Sequence, residues 1–230
     1  MRDADAALLF DFNGVIVDDE EQHRMALEQV LAEEGIPLTR EEYYSDYLGY
    51  DDRMSLVAAF QRAGRPLPAA RVGRLIAEKS HRYERLLDQS MTLVPGASEF
   101  VARAADGFRM GIVSGALRRE IELVLDRAGL RRHFEVIVAA EDVALCKPDP
   151  AGYLAARAAL GGGGSPVPAR HCVAIEDSLP GLAAARAAGI RCAMLATSHP
   201  PDALADADVV WPSFSGHDPA ELLALGGEDA

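Results

Sequence analysis

Cysteine is scarce in this chain: Cys146, Cys172 and Cys192 are an odd set, and none is paired as Cys-x-x-Cys. That spacing argues against a disulfide framework and against a cysteine zinc site. Long apolar runs are missing too, since no stretch approaches the ~20 residues that a membrane span requires. The first residues, Met-Arg-Asp-Ala-Asp, lack the basic-then-apolar order of a secretory signal, so a cytoplasmic location is expected. Positive charge is in deficit: 23 Lys and Arg stand against 36 Asp and Glu, a formal net charge of −13 at pH 7. That balance argues against nucleic-acid backbones and anionic membranes as partners, because both select a basic stripe. It leaves room for a small phosphorylated ligand, because a bound divalent cation and a few placed cations invert the local field.

What remains is a chain of 230 residues, 49% apolar, long enough for a core domain and a smaller insert. Residues 8 to 18 read Leu-Leu-Phe-Asp-Phe-Asn-Gly-Val-Ile-Val-Asp. An apolar run ends in a carboxylate, turns on a glycine and resumes. Such a run reads as a buried strand of an α/β sheet, whose ligands lie outside the carboxyl ends of the strands. Asp11 is thus placed where chemistry occurs, and Gly14 permits a tight turn around what it holds. The plain alternative is an Asp that caps a turn. Three later segments share the design: Arg109 to Gly115 ends in Ser114-Gly115, Lys147-Pro-Asp precedes a helix, and Cys172 to Ser178 ends in Glu176-Asp177-Ser178. A carboxylate, a hydroxyl, an ammonium and a carboxylate pair suit phosphoryl transfer: a nucleophile, a metal site and donors for phosphate oxygens.

With these four segments in order, the chain resembles the haloacid dehalogenase superfamily of aspartyl-phosphate phosphotransferases, and within it the β-phosphoglucomutase-like branch with a helical cap. The family's Asp-x-Asp-Gly-x-x-x-Asp stands here as Asp11-Phe-Asn13-Gly14-Val-Ile-Val-Asp18. Ser114, Lys147 and the Glu176-Asp177-Ser178 run with Gly181 match the other three motifs, so the likeness extends from Leu8 to about Trp211. The resemblance implies an α/β fold: a Rossmann-like parallel-sheet core from residues 1–19 and 92–230, and an inserted all-helical cap at 20–91. It implies Asp11 as nucleophile, Ser114 and Gly115 with Lys147 at the phosphate, and Mg²⁺ held by Asp11, Asp177 and the Asn13 carbonyl, with Glu176 ligating directly, through water, or only supporting Asp177. His23, Arg53 and Arg118 (with Arg119 beside it) occupy positions where relatives contact substrate, although each also reads as an ordinary surface or structural side chain. The partner implied is a small phosphorylated metabolite, taken by a monomer or a homodimer.

Periodicity agrees with this organisation. Glu20 to Glu34, Met54 to Ala63 and Ala69 to Asp88 read as helices with no strand between them, the first ending at Gly35. Beyond Val94-Pro95-Gly96, helices are expected at Ala97 to Ala105, Leu117 to Ala128, Pro150 to Leu160 and Leu179 to Ala188. Strands are expected at Met110 to Val113, Val136 to Ala139, Val173 to Ile175, Ala193 to Leu195 and Val209 to Val210. Such alternation implies βαβ units and a parallel sheet.

Asn13 is the departure. The family has a second aspartate there, which donates a proton to the leaving group and later accepts one from water. An amide keeps the shape and the carbonyl but does neither job, and general acid–base help is worth ~10²–10⁴ in rate. Three readings stay open at this point: a slow or specialised phosphatase (less readily a phosphomutase), a phosphate-ligand-binding or regulatory protein without turnover, or a substitution introduced to trap a complex. The Glu176-Asp177 pair points to the metal-using branch. Lys79, mid-helix, argues against Schiff-base phosphonate chemistry.

Overall fold

The structure, a computed structural model, describes residues 6–225; the opening Met-Arg-Asp-Ala-Asp, on which the expectation about a secretory signal rests, lies outside them. Six strands, β1 (Ala7–Phe10), β2 (Arg109–Val113), β3 (Val136–Val138), β4 (Cys172–Glu176), β5 (Arg191–Leu195) and β6 (Val209–Trp211), form one sheet. Its order is β3-β2-β1-β4-β5-β6, and every pairing is parallel. Every residue of β1 and β4 is buried, the pattern of strands covered on both faces. Register carries the consequence for function. Phe10 lies opposite Ile112 on β2 and Ile175 on β4. The residues that follow, Asp11, Val113-Ser114 and Glu176-Asp177, therefore leave three adjacent strands at one edge.

Two compact units divide the chain at Asp18/Asp19 and at Thr92/Leu93. The unit spanning 19–92 is helical: α1 (Glu20–Glu33), α2 (Arg40–Glu42), α3 (Asp52–Arg62) and α4 (Ala69–Gln89). Its core contains Leu27, Val30, Leu31, Leu56, Phe60 and Leu75. Each fully buried side chain of this size contributes roughly 1.5–3 kcal/mol by leaving water. Helix α3 begins two residues earlier than the apolar pattern predicts, because the Asp51 side chain accepts the Met54 N–H at 2.7 Å and caps it. The turn at α2, closed by a Thr39–Glu42 capping box, and the π-helical turn Tyr43–Tyr47 after it were not predicted. Neither is long enough to show a hydrophobic period.

In the sheet unit, α5 (Ala97–Ala104), α6 (Arg118–Arg127), α7 (Ala151–Leu160) and α8 (Leu179–Ala187) complete the alternation. Leu9, Ala174, Cys192 and Met194 of the sheet pack with Tyr153 and Ala156 of α7 and Leu182 and Ala185 of α8. Phe10 meets Phe100 and Phe134 edge-on, with centroids 6.3 and 5.6 Å apart, a favoured arrangement for aromatic rings. Among the described residues no helix is long and apolar enough to cross a membrane.

Candidate active site

Asp11 extends the ladder past β1, its N–H donating to the Ile175 carbonyl at 2.8 Å. The chain then turns at once: the Phe12 carbonyl accepts from Ile16 at 2.8 Å, and Gly14 donates to Val17 at 2.8 Å. Asn13, half-buried, sits in this turn. Gly14 has φ +72°, and a Cβ there would fall 1.9 Å from Asp177 Oδ2. Only glycine meets both demands. From β4, Glu176 is 0% and Asp177 4% exposed. Asp11, Glu176 and Asp177 each offer a carboxylate oxygen, all within 4.8 Å of one another.

Among the described residues, one cation faces this group. Lys147, between β3 and α7, places Nζ 2.8 Å from Asp11 Oδ1 and 2.5 Å from Glu176 Oε1. Burial opposes its charge, but Asp11 and Glu176 outweigh that and hold the ammonium above the ordinary lysine range. Three carboxylates against one ammonium leave negative charge in excess. Burial first, and then the charge of Asp11, lift Glu176 to about 7. The same two causes push Asp177 well above the usual carboxylate range, against a hydrogen bond from Ser198. A hard divalent cation suits such an oxygen-only, electron-rich set, so these residues fit Mg²⁺.

Ser114 leaves β2 with its N–H on the Val138 carbonyl at 3.0 Å, and its Oγ accepts from the Ala116 N–H at 3.0 Å. The hydroxyl and the Gly115 backbone thus lie in the turn into α6. Arg118 opens that helix, but its guanidinium is engaged by the Ile137 carbonyl at 2.9 Å and Asp142 at 2.5 Å. His23 and Arg53 belong to the helical unit. His23 stacks on Tyr83 with centroids 4.2 Å apart, lies 3.5 Å from Asp19 and contacts Lys79 through Nδ1. Arg53 is exposed in the first turn of α3.

Three neighbours of the carboxylates escape sequence reasoning. The Tyr153 hydroxyl, on α7, donates to Glu176 Oε1 at 2.6 Å. Thr197 and Ser198, just after β5, reach Gly14 and Asp177. Tyr153 reads as a core residue of an apolar helix and gave no signal. Thr197 and Ser198 did give one, since two hydroxyl residues follow an apolar strand after a single alanine. Gly181 serves the same carboxylates from α8, because a Cβ there would fall 1.9 Å from Glu176 Oε2.

Comparison with known proteins agrees with this arrangement. Residues 6–189 match the haloacid dehalogenase-like hydrolase family. Protein CbbY of Cereibacter sphaeroides is 34% identical over 238 residues, covering 97% of this chain and 96% of the relative. Hexitol phosphatase B of Escherichia coli K12 is 31% identical over 186 residues, covering 80% of this chain and 81% of that protein. Among solved structures, an Asp-to-Asn variant of CbbY from Rhodobacter sphaeroides in complex with xylulose-(1,5)bisphosphate superposes with TM-score 0.79 at 31% identity, covering 91% of this chain and 95% of the other. With the strand-end motifs and the parallel sheet, these matches place the chain in the haloacid dehalogenase-like hydrolase family.

Proposed function

We propose that the protein is a Mg²⁺-dependent phosphatase of small phosphorylated metabolites that works through an aspartyl-phosphate at Asp11. The observation that carries this reading is Lys147 bridging Asp11 and Glu176 beside a third carboxylate, Asp177. The relatives support the substrate class: one is named for a hexitol phosphate activity and another was crystallised with a sugar bisphosphate. An Asp11 oxygen forms a bond to phosphorus while the bond to the leaving oxygen breaks. Water then cleaves the acyl phosphate and regenerates the carboxylate. Lys147 balances charge at Asp11, and Ser114 with the Gly115 N–H holds phosphoryl oxygens at the turn into α6. Asp11 and Asp177 would hold Mg²⁺ with the Asn13 carbonyl, Glu176 supporting them. The cation would supply Lewis-acid neutralisation of the phosphoryl charge. In this reading Asn13 makes turnover slow or selective, because its amide neither donates nor accepts the required proton.

The test is phosphate release from sugar phosphates, nucleotides and an activated aryl phosphate, with and without Mg²⁺, for the unmodified protein and Asp11→Ala. Release that depends on Mg²⁺ and vanishes in Asp11→Ala is expected. Release retained in Asp11→Ala would overturn the covalent route. Asn13 also favours a second reading, a phosphate-ligand-binding protein. Tight binding of a sugar phosphate without release from any substrate, aryl phosphate included, would establish it.

A further inference from the structure

Two hydroxyls outside all four motif segments close around Asp177 from the β5 side. Ser198 donates its Oγ–H to Asp177 Oδ2. Thr197 donates from Oγ1 to the Gly14 carbonyl at 2.7 Å, and the same Oγ1 stands 3.5 Å from Asp177 Oδ2. Gly14 presses on that oxygen from the remaining side. Its missing Cβ would lie 1.9 Å from Asp177 Oδ2 and 3.2 Å from Ser198 Oγ. One oxygen of a buried carboxylate is therefore enclosed by two hydroxyls and a glycine backbone. A carboxylate held at one oxygen is fixed in rotation about Cβ–Cγ, which determines where its second oxygen points.

We infer that Ser198 and Thr197 are positioning residues for a divalent cation: Ser198 orients Asp177, and Thr197 pins the Gly14 carbonyl and with it the first loop that carries Asn13. This rests on the metal reading proposed above. Neither hydroxyl needs to touch the cation or the phosphate. Their role is to have the carboxylate and the loop in place before the cation arrives, so that binding need not order them. Partners of this kind, one shell out from the ligands, typically change metal affinity by about 10–100-fold. The contact also links distant parts of the chain, since Thr197 and Gly14 are 183 positions apart, so no local turn requires it.

The experiment is calorimetric titration of Mg²⁺ into the unmodified protein, Ser198→Ala, Ser198→Thr and Thr197→Val, with melting temperatures taken separately in a chelator. Ser198→Ala is expected to weaken Mg²⁺ binding at least about 10-fold while its metal-free melting temperature matches that of the unmodified protein. Ser198→Thr restores the affinity, and Thr197→Val weakens it. Unmodified affinity in Ser198→Ala overturns the inference, as does a loss matched by a lower metal-free melting temperature that Ser198→Thr leaves unrepaired. Absence of Mg²⁺ binding by the unmodified protein overturns the metal reading itself, and this inference with it.

Discussion

Gly14 and Asp177 share a space that a single methyl group would fill: a Cβ on residue 14 would stand 1.9 Å from Asp177 Oδ2. The first loop and the carboxylate pair, 163 positions apart, are thus shaped against each other. On the metal reading proposed above, Mg²⁺ should raise the melting temperature of the unmodified protein by binding to the native state alone, and Gly14→Ala is expected to displace Asp177 and to abolish that rise. The residue also sits at φ +72°, so alanine adds a backbone cost of about 1–2 kcal/mol. Thermal scans with and without Mg²⁺ separate the two effects. The metal-free curve reads the backbone cost together with that of displacing Asp177, and the difference between curves reads the metal site.

Crowding of three carboxylates gives a pH signature with a definite sign. Burial and Asp11 raise Glu176 from 4.5 in the unfolded chain to about 7 in the fold. The folded state therefore favours its neutral form. That contribution is fully present below about pH 4.5 and is lost as pH rises toward 7. Glu176→Gln removes the titrating group, so without metal its stability relative to the unmodified protein should climb across this window. Urea unfolding in a chelator at several pH values from 4.5 to 7.5 reads the difference. A difference that stays flat with pH would refute the assignment.

Three of the four motif segments were legible because their polar group ends an apolar run, and a strand end in a parallel sheet is a place as well as a pattern; Lys147 instead stands before a proline that opens a helix. Register then does what composition cannot: Phe10 opposite Ile112 and Ile175 brings Asp11, Ser114 and Glu176 to one edge. Tyr153 was illegible because its hydroxyl counts only once α7 lies against β4, and an aromatic in an apolar helix looks like core. It is core by burial, at 0% exposed, and a hydrogen-bond donor to Glu176 as well. The helical turn at Arg40–Glu42 was missed for a local reason, since three residues held by a capping box carry no period.

Lys79 shows the same limit in the helical unit. Its mid-helix position argues only against Schiff-base chemistry and gives no sign of a buried partner, yet it is 1% exposed, with Nζ 2.7 Å from Asp52 and in contact with His23. The chain's two lysines, Lys79 and Lys147, are both engaged with carboxylates. Lys79→Met is expected to destabilise the protein by about 1–3 kcal/mol, because the part-buried Asp52 carboxylate would lose the ammonium it pairs with. Lys79→Met combined with Asp52→Leu should recover much of that loss, as coupled neighbours do. Denaturant unfolding of the two single variants and the double variant measures the coupling. Additive losses would show that the pair contributes nothing as a pair.

Asn13 governs the chemistry expected of this chain. An amide in the turn after Asp11 leaves the first step open to leaving groups that need no proton. Activated aryl phosphates and acyl phosphates should therefore react faster than alkyl phosphates such as sugar phosphates. The second step should be slow as well, since the amide cannot deprotonate water, so the phosphorylated form of Asp11 should accumulate and be visible by intact mass. Asn13→Asp supplies the missing acid and base. It should raise the rate on alkyl phosphates by about 10²-fold or more and the rate on aryl phosphates by less. Mg²⁺ affinity should change little, because the expected ligand is the backbone carbonyl. The measurement is a paired comparison of the two proteins on aryl and alkyl phosphates across pH. Ordinary enzymatic rates on an alkyl phosphate in the unmodified protein, with nothing gained in Asn13→Asp, would mean that another group carries the proton.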